Sequence, residues 1–227
     1  GELTVPEVEQ TKRHGVYIVG YTDGTFGPSR SMTRSEAAAI FARLLAEKNG
    51  DTISTAANTK FADIPAHAWY SGYVKYLSNN GITYGKNKTI FAPNDAITRA
   101  EFTTLAVRFF DVYGDGDAEI MEQFSGFNDV SSGYWAAEYI KYAALHGWIN
   151  GYGDGSFHAD REINRAEVVT IVNRLLGREA DEDYIADNLR KLNTFPDVSR
   201  KHWAYYAVME AANAHTAVLG ENESWSK

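Results

Sequence analysis

Three arginines stand at matching places in three short segments: Thr33-Arg34-Ser35-Glu36, Thr98-Arg99-Ala100-Glu101 and Asn164-Arg165-Ala166-Glu167. In each segment the first and last residues form a capping box, whose side chains satisfy two orphan amides at a helix start. The arginine is left unexplained, because it falls at the first helical position, where the macrodipole disfavours a cation. Its recurrence at intervals of 65 and 66 residues calls for an anionic partner. One candidate is internal, since Asp63, Asp129 and Asp197 recur with a matching period. The other is a bound carboxylate or phosphate, which suits free helix-start amides and a planar fork of donors. Both can belong to one network.

Trp69, Trp135 and Trp203 each head an aromatic helical segment, where a ring serves equally as core or as a platform for a sugar. Gly24 and Gly155 sit in turns of the form Gly-Tyr-x-Asp-Gly, where they supply positive φ while Asp23 and Asp154 close the turn. Phe26, Phe91 and Phe157 end these turns and read as core plugs. The turns lack the Walker pattern and a preceding strand, which excludes a nucleotide-phosphate cradle.

Residues 111–122 carry Gly116 and Glu122 at positions six and twelve of a calcium loop, but Tyr113 at position three, so they read as an acidic linker. Six scattered histidines form no His-Glu-x-x-His pattern, so no metal centre is expected. No Gly-x-Ser-x-Gly elbow and no spaced carboxylate pair nominates a catalytic residue, and no cofactor is implied.

The elements that must position these residues follow from a repeat. The glycine turn and capping box run from Gly20 to Glu36, from Gly85 to Glu101 in a worn copy, and from Gly151 to Glu167. Phe-x-Asp-(Val/Ile) recurs at Phe61, Phe127 and Phe195. After each capping box the apolar residues fall at helical spacing: Ala37, Ile40, Phe41, Leu44 and Leu45; Phe102, Leu105, Ala106 and Phe109; Val168, Ile171, Val172, Leu175 and Leu176. A second helix follows each Phe-x-Asp, stopped by Gly81 and Gly147 in the first two copies. Each repeat is therefore helix, glycine turn, helix.

The expected fold is all-α and pseudo-threefold. Residues 1–50 supply the second half of one repeat, 51–116 and 117–178 two whole repeats, and 179–227 a connector and a first half that closes on the N-terminus. Residues 46–60, 111–126 and 177–194 read as connectors, the last with a short helix around Asp183–Leu192.

The 227 residues carry a formal charge of −8, which argues against nucleic acid or an anionic membrane as partner. No cysteine is present, excluding disulfides and thiolate metal sites. No run reaches the roughly 18 apolar residues of a membrane helix. The first residues lack a basic-then-apolar leader, so a targeting signal is expected outside this sequence.

Phe-x-Asp-Val, then Trp, then Gly-Tyr-x-Asp-Gly-(Thr/Ser)-Phe, then Ile-Thr-Arg-Ala-Glu, in that order over nearly the whole chain, resembles the S-layer homology repeat. The resemblance implies a three-lobed extracellular module whose inter-lobe grooves bind cell-wall polysaccharide, often through a ketal-pyruvate carboxylate met by the motif arginine, here Arg34, Arg99 and Arg165. It implies no enzyme activity, a monomer when isolated, and anchoring of a surface protein, with lattice self-assembly as the alternative. Many members carry Lys or Arg after the turn's Phe, where this chain has Gly27, Ala92 and His158, and Arg30 and Arg161 stand three residues further on. Lys86 and Lys88 replace Tyr and Asp in the middle turn, so unequal grooves are expected, with Arg34 and Arg165 the better ligand residues and Arg99 structural.

Overall fold

The computed structural model describes residues 10–114, 124–219 and 223–226. Its described residues are mainly helical, with one small sheet. The order is β1 (Gln10–His14), α1 (Arg34–Asn49), α2 (Ser71–Asn79), α3 (Arg99–Tyr113), α4 (Ala137–Leu145), α5 (Arg165–Leu176), α6 (Glu182–Asn188), α7 (Tyr205–Ala212), β2 (His215–Leu219) and β3 (Ser224–Ser226). A 3-10 turn, Leu189–Lys191, follows α6, so the helix expected near Asp183–Leu192 is a short α-helix that tightens at its end. Most of the segment with the partial calcium-loop pattern lies outside the described residues.

The helices α1, α3 and α5 begin with full capping boxes at Thr33, Thr98 and Asn164. Their apolar stripes are buried except at Leu176, which is half-buried, and Phe41 of α1 meets Phe102 and Phe109 of α3 at ring-centroid distances of 5.4 and 4.8 Å. The helices α2, α4 and α7 pack on α1, α3 and α5 respectively. Gly81 and Gly147, just beyond α2 and α4, adopt φ of 73° and 68°.

The segments entering α1, α3 and α5 join in a closed ring of main-chain hydrogen bonds. Met32 donates to Ile163 at 2.9 Å, Ile163 to Ile97 at 3.0 Å, and Ile97 to Met32 at 2.9 Å. Each helix start is then capped by the turn of another copy. Arg34 and Ser35 donate their amides to Asp95 and Pro93, Arg99 and Ala100 to Arg161 and Ala159, and Arg165 and Ala166 to Arg30 and Pro28. The sequence reading of free amides at these helix starts is thereby corrected. Buried amides require partners, and carbonyls of the neighbouring turn already fill that role.

The recurring aspartates hold the turns. Asp63 accepts the amides of Phe91 and Ala92, Asp129 those of Phe157 and His158, and Asp197 those of Phe26 and Gly27, at 2.6–3.2 Å. Gly27, Ala92 and His158 share a left-handed backbone, with φ of 68°, 58° and 54°. That geometry turns two successive amides into a concave nest for an anion, which the aspartate fills. The aromatic ring of each Phe-x-Asp lies against a turn glycine, where a Cβ on Gly20, Gly85 or Gly151 would collide with Phe195, Phe61 or Phe127.

The sheet was not legible in the sequence. β1 pairs antiparallel with β2 in the register His14↔His215, and β2 with β3, so residues from opposite parts of the chain share one sheet beside α7. The Tyr17 amide adds a bond to the Ala211 carbonyl, and α7 packs on α5.

Asp197→Ala removes a charged acceptor from two amides that tie the late Phe-x-Asp segment to the first turn. It is expected to cost about 2 kcal/mol, seen in thermal unfolding by circular dichroism as a Tm lowered by about 4–8 °C.

Candidate functional site

Each motif arginine is buried beneath a surface groove that other copies complete. The Arg34 groove, of about 390 Å³, is lined by Tyr84, Gly85, Lys86, Glu101, Arg108 and Trp135. The Arg99 groove, about 230 Å³, is lined by Asn150, Gly151, Tyr152, Glu167, Arg174 and Trp203. The Arg165 groove, about 200 Å³, is lined by Val19, Gly20, Tyr21, Glu36, Arg43 and Trp69. Arginine, turn and tryptophan thus come from three different copies in every groove.

The guanidinium groups are held alike. Arg34 Nε donates to the Phe91 carbonyl at 2.7 Å, Arg99 Nε to Phe157 at 2.9 Å, and Arg165 Nε to Phe26 at 2.8 Å. The ion pairs differ: Arg34 meets Glu101 at 3.2 Å and Arg99 meets Glu167 at 3.0 Å, whereas Arg165 stands 3.8 Å from Glu36. Burial pulls the pKa of Arg34 and Arg99 down, opposed chiefly by Glu101 and Glu167. At Arg165 burial acts the same way, and Tyr21 ahead of Glu36 opposes it. Desolvation works to raise Glu101, but Lys86, the Thr98 amide and Arg34 outweigh it and hold it below the ordinary carboxylate range.

The internal partner of the arginine is therefore the capping-box glutamate of another copy, not the aspartate of Phe-x-Asp. Asp63, Asp129 and Asp197 are spent on turn amides and line none of the three grooves. Gly24 and Gly155 hold φ of 83° and 81° at turn tips and likewise line none. The tryptophans are not core: Trp69, Trp135 and Trp203 precede their helices and are 53%, 57% and 65% exposed.

The worn turn faces Arg34, not Arg99. Lys86 bonds Glu101 at 2.9 Å, in the place where Tyr152 contacts Glu167 in the Arg99 groove at 3.3 Å. The Arg34 groove accordingly has Arg34, Lys86 and Arg108 in its lining against one carboxylate, Glu101, in a chain of net charge −8. Arg30 lies over Tyr21 at 4.3 Å, and Arg161 pairs with Glu167, so both sit beside groove-lining residues, at the Arg165 and Arg99 grooves respectively.

A second set of cations escaped the sequence reading. Arg43, Arg108 and Arg174 each stand seven residues after the capping-box glutamate and line the same grooves. Arg43 donates to the Tyr73 hydroxyl at 3.4 Å and Arg108 to that of Tyr139 at 3.2 Å. Their spacing of 65 and 66 residues was the available signal. His14, Glu210, His215 and Glu223 also converge, with donor atoms all within 4.8 Å of one another, which corrects the reading of the histidines as unclustered.

The S-layer homology domain matches residues 5–38, 60–103 and 126–169, more than half of the sequence. The chain belongs to this family. It is 34% identical over 92% of its length to Cell surface glycoprotein 1 of Acetivibrio thermocellus, of which it spans 9%. It is 30% identical over 96% of its length to the Cellulosome-anchoring protein of the same organism, spanning 46% of that protein. Over 70% of its length it is 31% identical to the Surface-layer 125 kDa protein of Lysinibacillus sphaericus, of which it spans 13%. The S-layer homology chain thus corresponds to less than half of each of these relatives. Among its described residues no helix is long and apolar enough to cross a membrane.

Glu167→Gln retains the capping geometry but leaves Arg99 without its carboxylate. It is expected to lower stability by about 1–2 kcal/mol, measured by urea unfolding. Glu36→Gln, at the looser Arg165 pair, is expected to cost less than about 0.5 kcal/mol.

Proposed function

We propose that this chain is a non-enzymatic, extracellular anchoring module that holds a larger bacterial surface protein to an anionic cell-wall polysaccharide. On this reading it is a pseudo-threefold domain in which residues 51–116 and 117–178 are whole repeats and the two ends complete the third. The closed ring of Met32, Ile97 and Ile163 hydrogen bonds supports that symmetry.

The observation that carries the functional reading is the exposed tryptophan in each groove lining, with a buried arginine beneath. A solvent-facing indole in a groove stacks on a sugar ring, while the guanidinium recognises an acidic substituent such as a pyruvate ketal. Each ring is steadied by an aromatic neighbour, Tyr70 for Trp69, Tyr134 for Trp135 and His202 for Trp203, which leaves more than half of it open to the groove. The Arg34 groove, with three cations and one carboxylate in its lining, is the strongest site for a negatively charged sugar. Arg165, whose carboxylate is the most distant, is the guanidinium most ready to exchange its internal partner for a ligand. Three modest sites acting together would give tight retention through avidity. The names of the relatives, one of them a cellulosome-anchoring protein, agree with a surface-anchoring role.

Calorimetric titration of purified wall polysaccharide into the wild type and into the triple variant Trp69→Ala, Trp135→Ala, Trp203→Ala tests this reading. Because these rings lie outside the core, the variant is expected to keep its Tm within about 2 °C while losing at least about tenfold in affinity. Adding Arg34→Gln to the wild type is expected to weaken binding of a pyruvylated polymer more than that of its depyruvylated form. Equal binding by wild type and folded triple variant would overturn the groove assignment. No retention on wall material together with concentration-dependent oligomers would favour the surface-lattice reading.

A further inference from the structure

The four residues His14, Glu210, His215 and Glu223 lie apart from the three grooves, at the junction of β1, α7, β2 and β3. His14 Nδ1 is 3.2 Å from His215 Nε2, 3.4 Å from Glu210 Oε1 and 3.2 Å from Glu223 Oε1. His215 Nε2 is 3.3 Å from Glu210 Oε2 and 3.3 Å from Glu223 Oε1. A tetrahedral zinc ion with ligand bonds of about 2.0–2.1 Å has ligand-to-ligand edges of about 3.3–3.4 Å, which His14 Nδ1, His215 Nε2 and Glu223 Oε1 already match, while the whole set, one atom per residue, lies within 4.8 Å and closes by a small inward shift of a carboxylate.

The surroundings fit the same centre. Glu210 is 0% exposed, and among the described residues neither of its oxygens accepts a hydrogen bond. A buried carboxylate with no hydrogen-bond donor is strongly unfavourable unless a cation meets it. His215 Nδ1 lies 3.0 Å from the Asn213 carbonyl, which holds the proton on that nitrogen and turns the Nε2 lone pair toward Glu210 and His14. Glu223 Oε2 accepts the Glu179 amide at 3.2 Å, and the Trp225 ring stacks on His215 at 3.8 Å, so two of the four ligands are braced from outside. With both imidazoles deprotonated at their ligating nitrogens, as metal binding requires, the two carboxylates carry the charge that a divalent cation cancels. Two imidazole donors select a transition ion of the zinc class over calcium or magnesium, which take oxygen ligands.

We infer that His14, Glu210, His215 and Glu223 form a four-ligand site for a divalent transition metal, zinc by its chemistry, that clamps the first strand to the last helix and the C-terminal hairpin. The clamp joins residues 201 positions apart, in a chain with no cysteine to form a disulfide. Binding to ligands that the unfolded chain does not bring together stabilises the folded state.

The test uses the tag-free chain, stripped with a chelator and then titrated with Zn2+ alone. One equivalent of zinc is expected to bind per chain and to raise Tm by several degrees, while Co2+ is expected to give the visible absorption of a four-coordinate ion. Glu210→Gln, which preserves volume, and His215→Ala are expected to abolish both the cobalt spectrum and the metal-dependent rise in Tm, whatever their own stability in chelator. If the stripped wild type does not fold, restoration of its helical signal by zinc supports the site. A folded wild type that retains no zinc at micromolar concentration, a Tm indifferent to metal, or a stripped chain that zinc does not restore would overturn it.

Discussion

Three helix starts face inward, and the amides there cannot be left without partners. That constraint organises the molecule. The ring through Met32, Ile97 and Ile163 brings the three entry segments together, and the amides that follow donate to carbonyls in the turn of another copy. A buried amide without an acceptor is destabilising by a margin comparable to a whole hydrogen bond, so each copy depends on the next for its cap. This dependence also sets the position of the arginines. Each leaves its helix at the first position, passes beneath the neighbouring turn, and gives its Nε hydrogen to the carbonyl of that turn's phenylalanine.

The turns are shaped to receive them. The left-handed residue after each phenylalanine creates a pair of convergent amides, and the aspartate of Phe-x-Asp neutralises that pair. The aspartate is thus unavailable to the arginine, which must find its counter-charge elsewhere. It finds it in the capping-box glutamate, whose second oxygen reaches back to the helix-cap amide. One carboxylate therefore serves a cap and an ion pair at once. Where the pair is close, at Arg34 and Arg99, burial of the guanidinium is compensated locally; at Arg165 the compensation is looser. The same burial that makes a lone cation costly makes an incoming anion valuable, because charge interactions strengthen as water is excluded.

The two ends of the chain meet under a different rule. β1 and β2 are short, β1 is polar on its exposed positions, and their pairing is supported from within by His14, His215 and Glu210, buried side chains that ordinary core packing does not favour. The sheet and the grooves thus bury polar groups in different ways, a His/Glu cluster between the chain ends at one and arginine–glutamate pairs between copies at the other.

By itself the sequence determined the repeat, the three capped helices with their buried stripes, the glycine turns, and the arginines and tryptophans as the residues able to do chemistry. These are legible because helix caps, apolar spacing and positive-φ glycines are local, acting over a few residues. Only the tertiary structure decided which partner each residue has. Arg34 faces the worn turn because the helix start of one copy is capped by the turn of the next, a relation no local pattern encodes. The tryptophans face water, while the residues next to them, Tyr70, Ala136 and Ala204, are buried, a choice made by the packing of the copies and not by position along the chain. The four-residue cluster at the chain ends was invisible because His14 and His215 are 201 positions apart, and proximity across such a distance is a property of the closed fold alone.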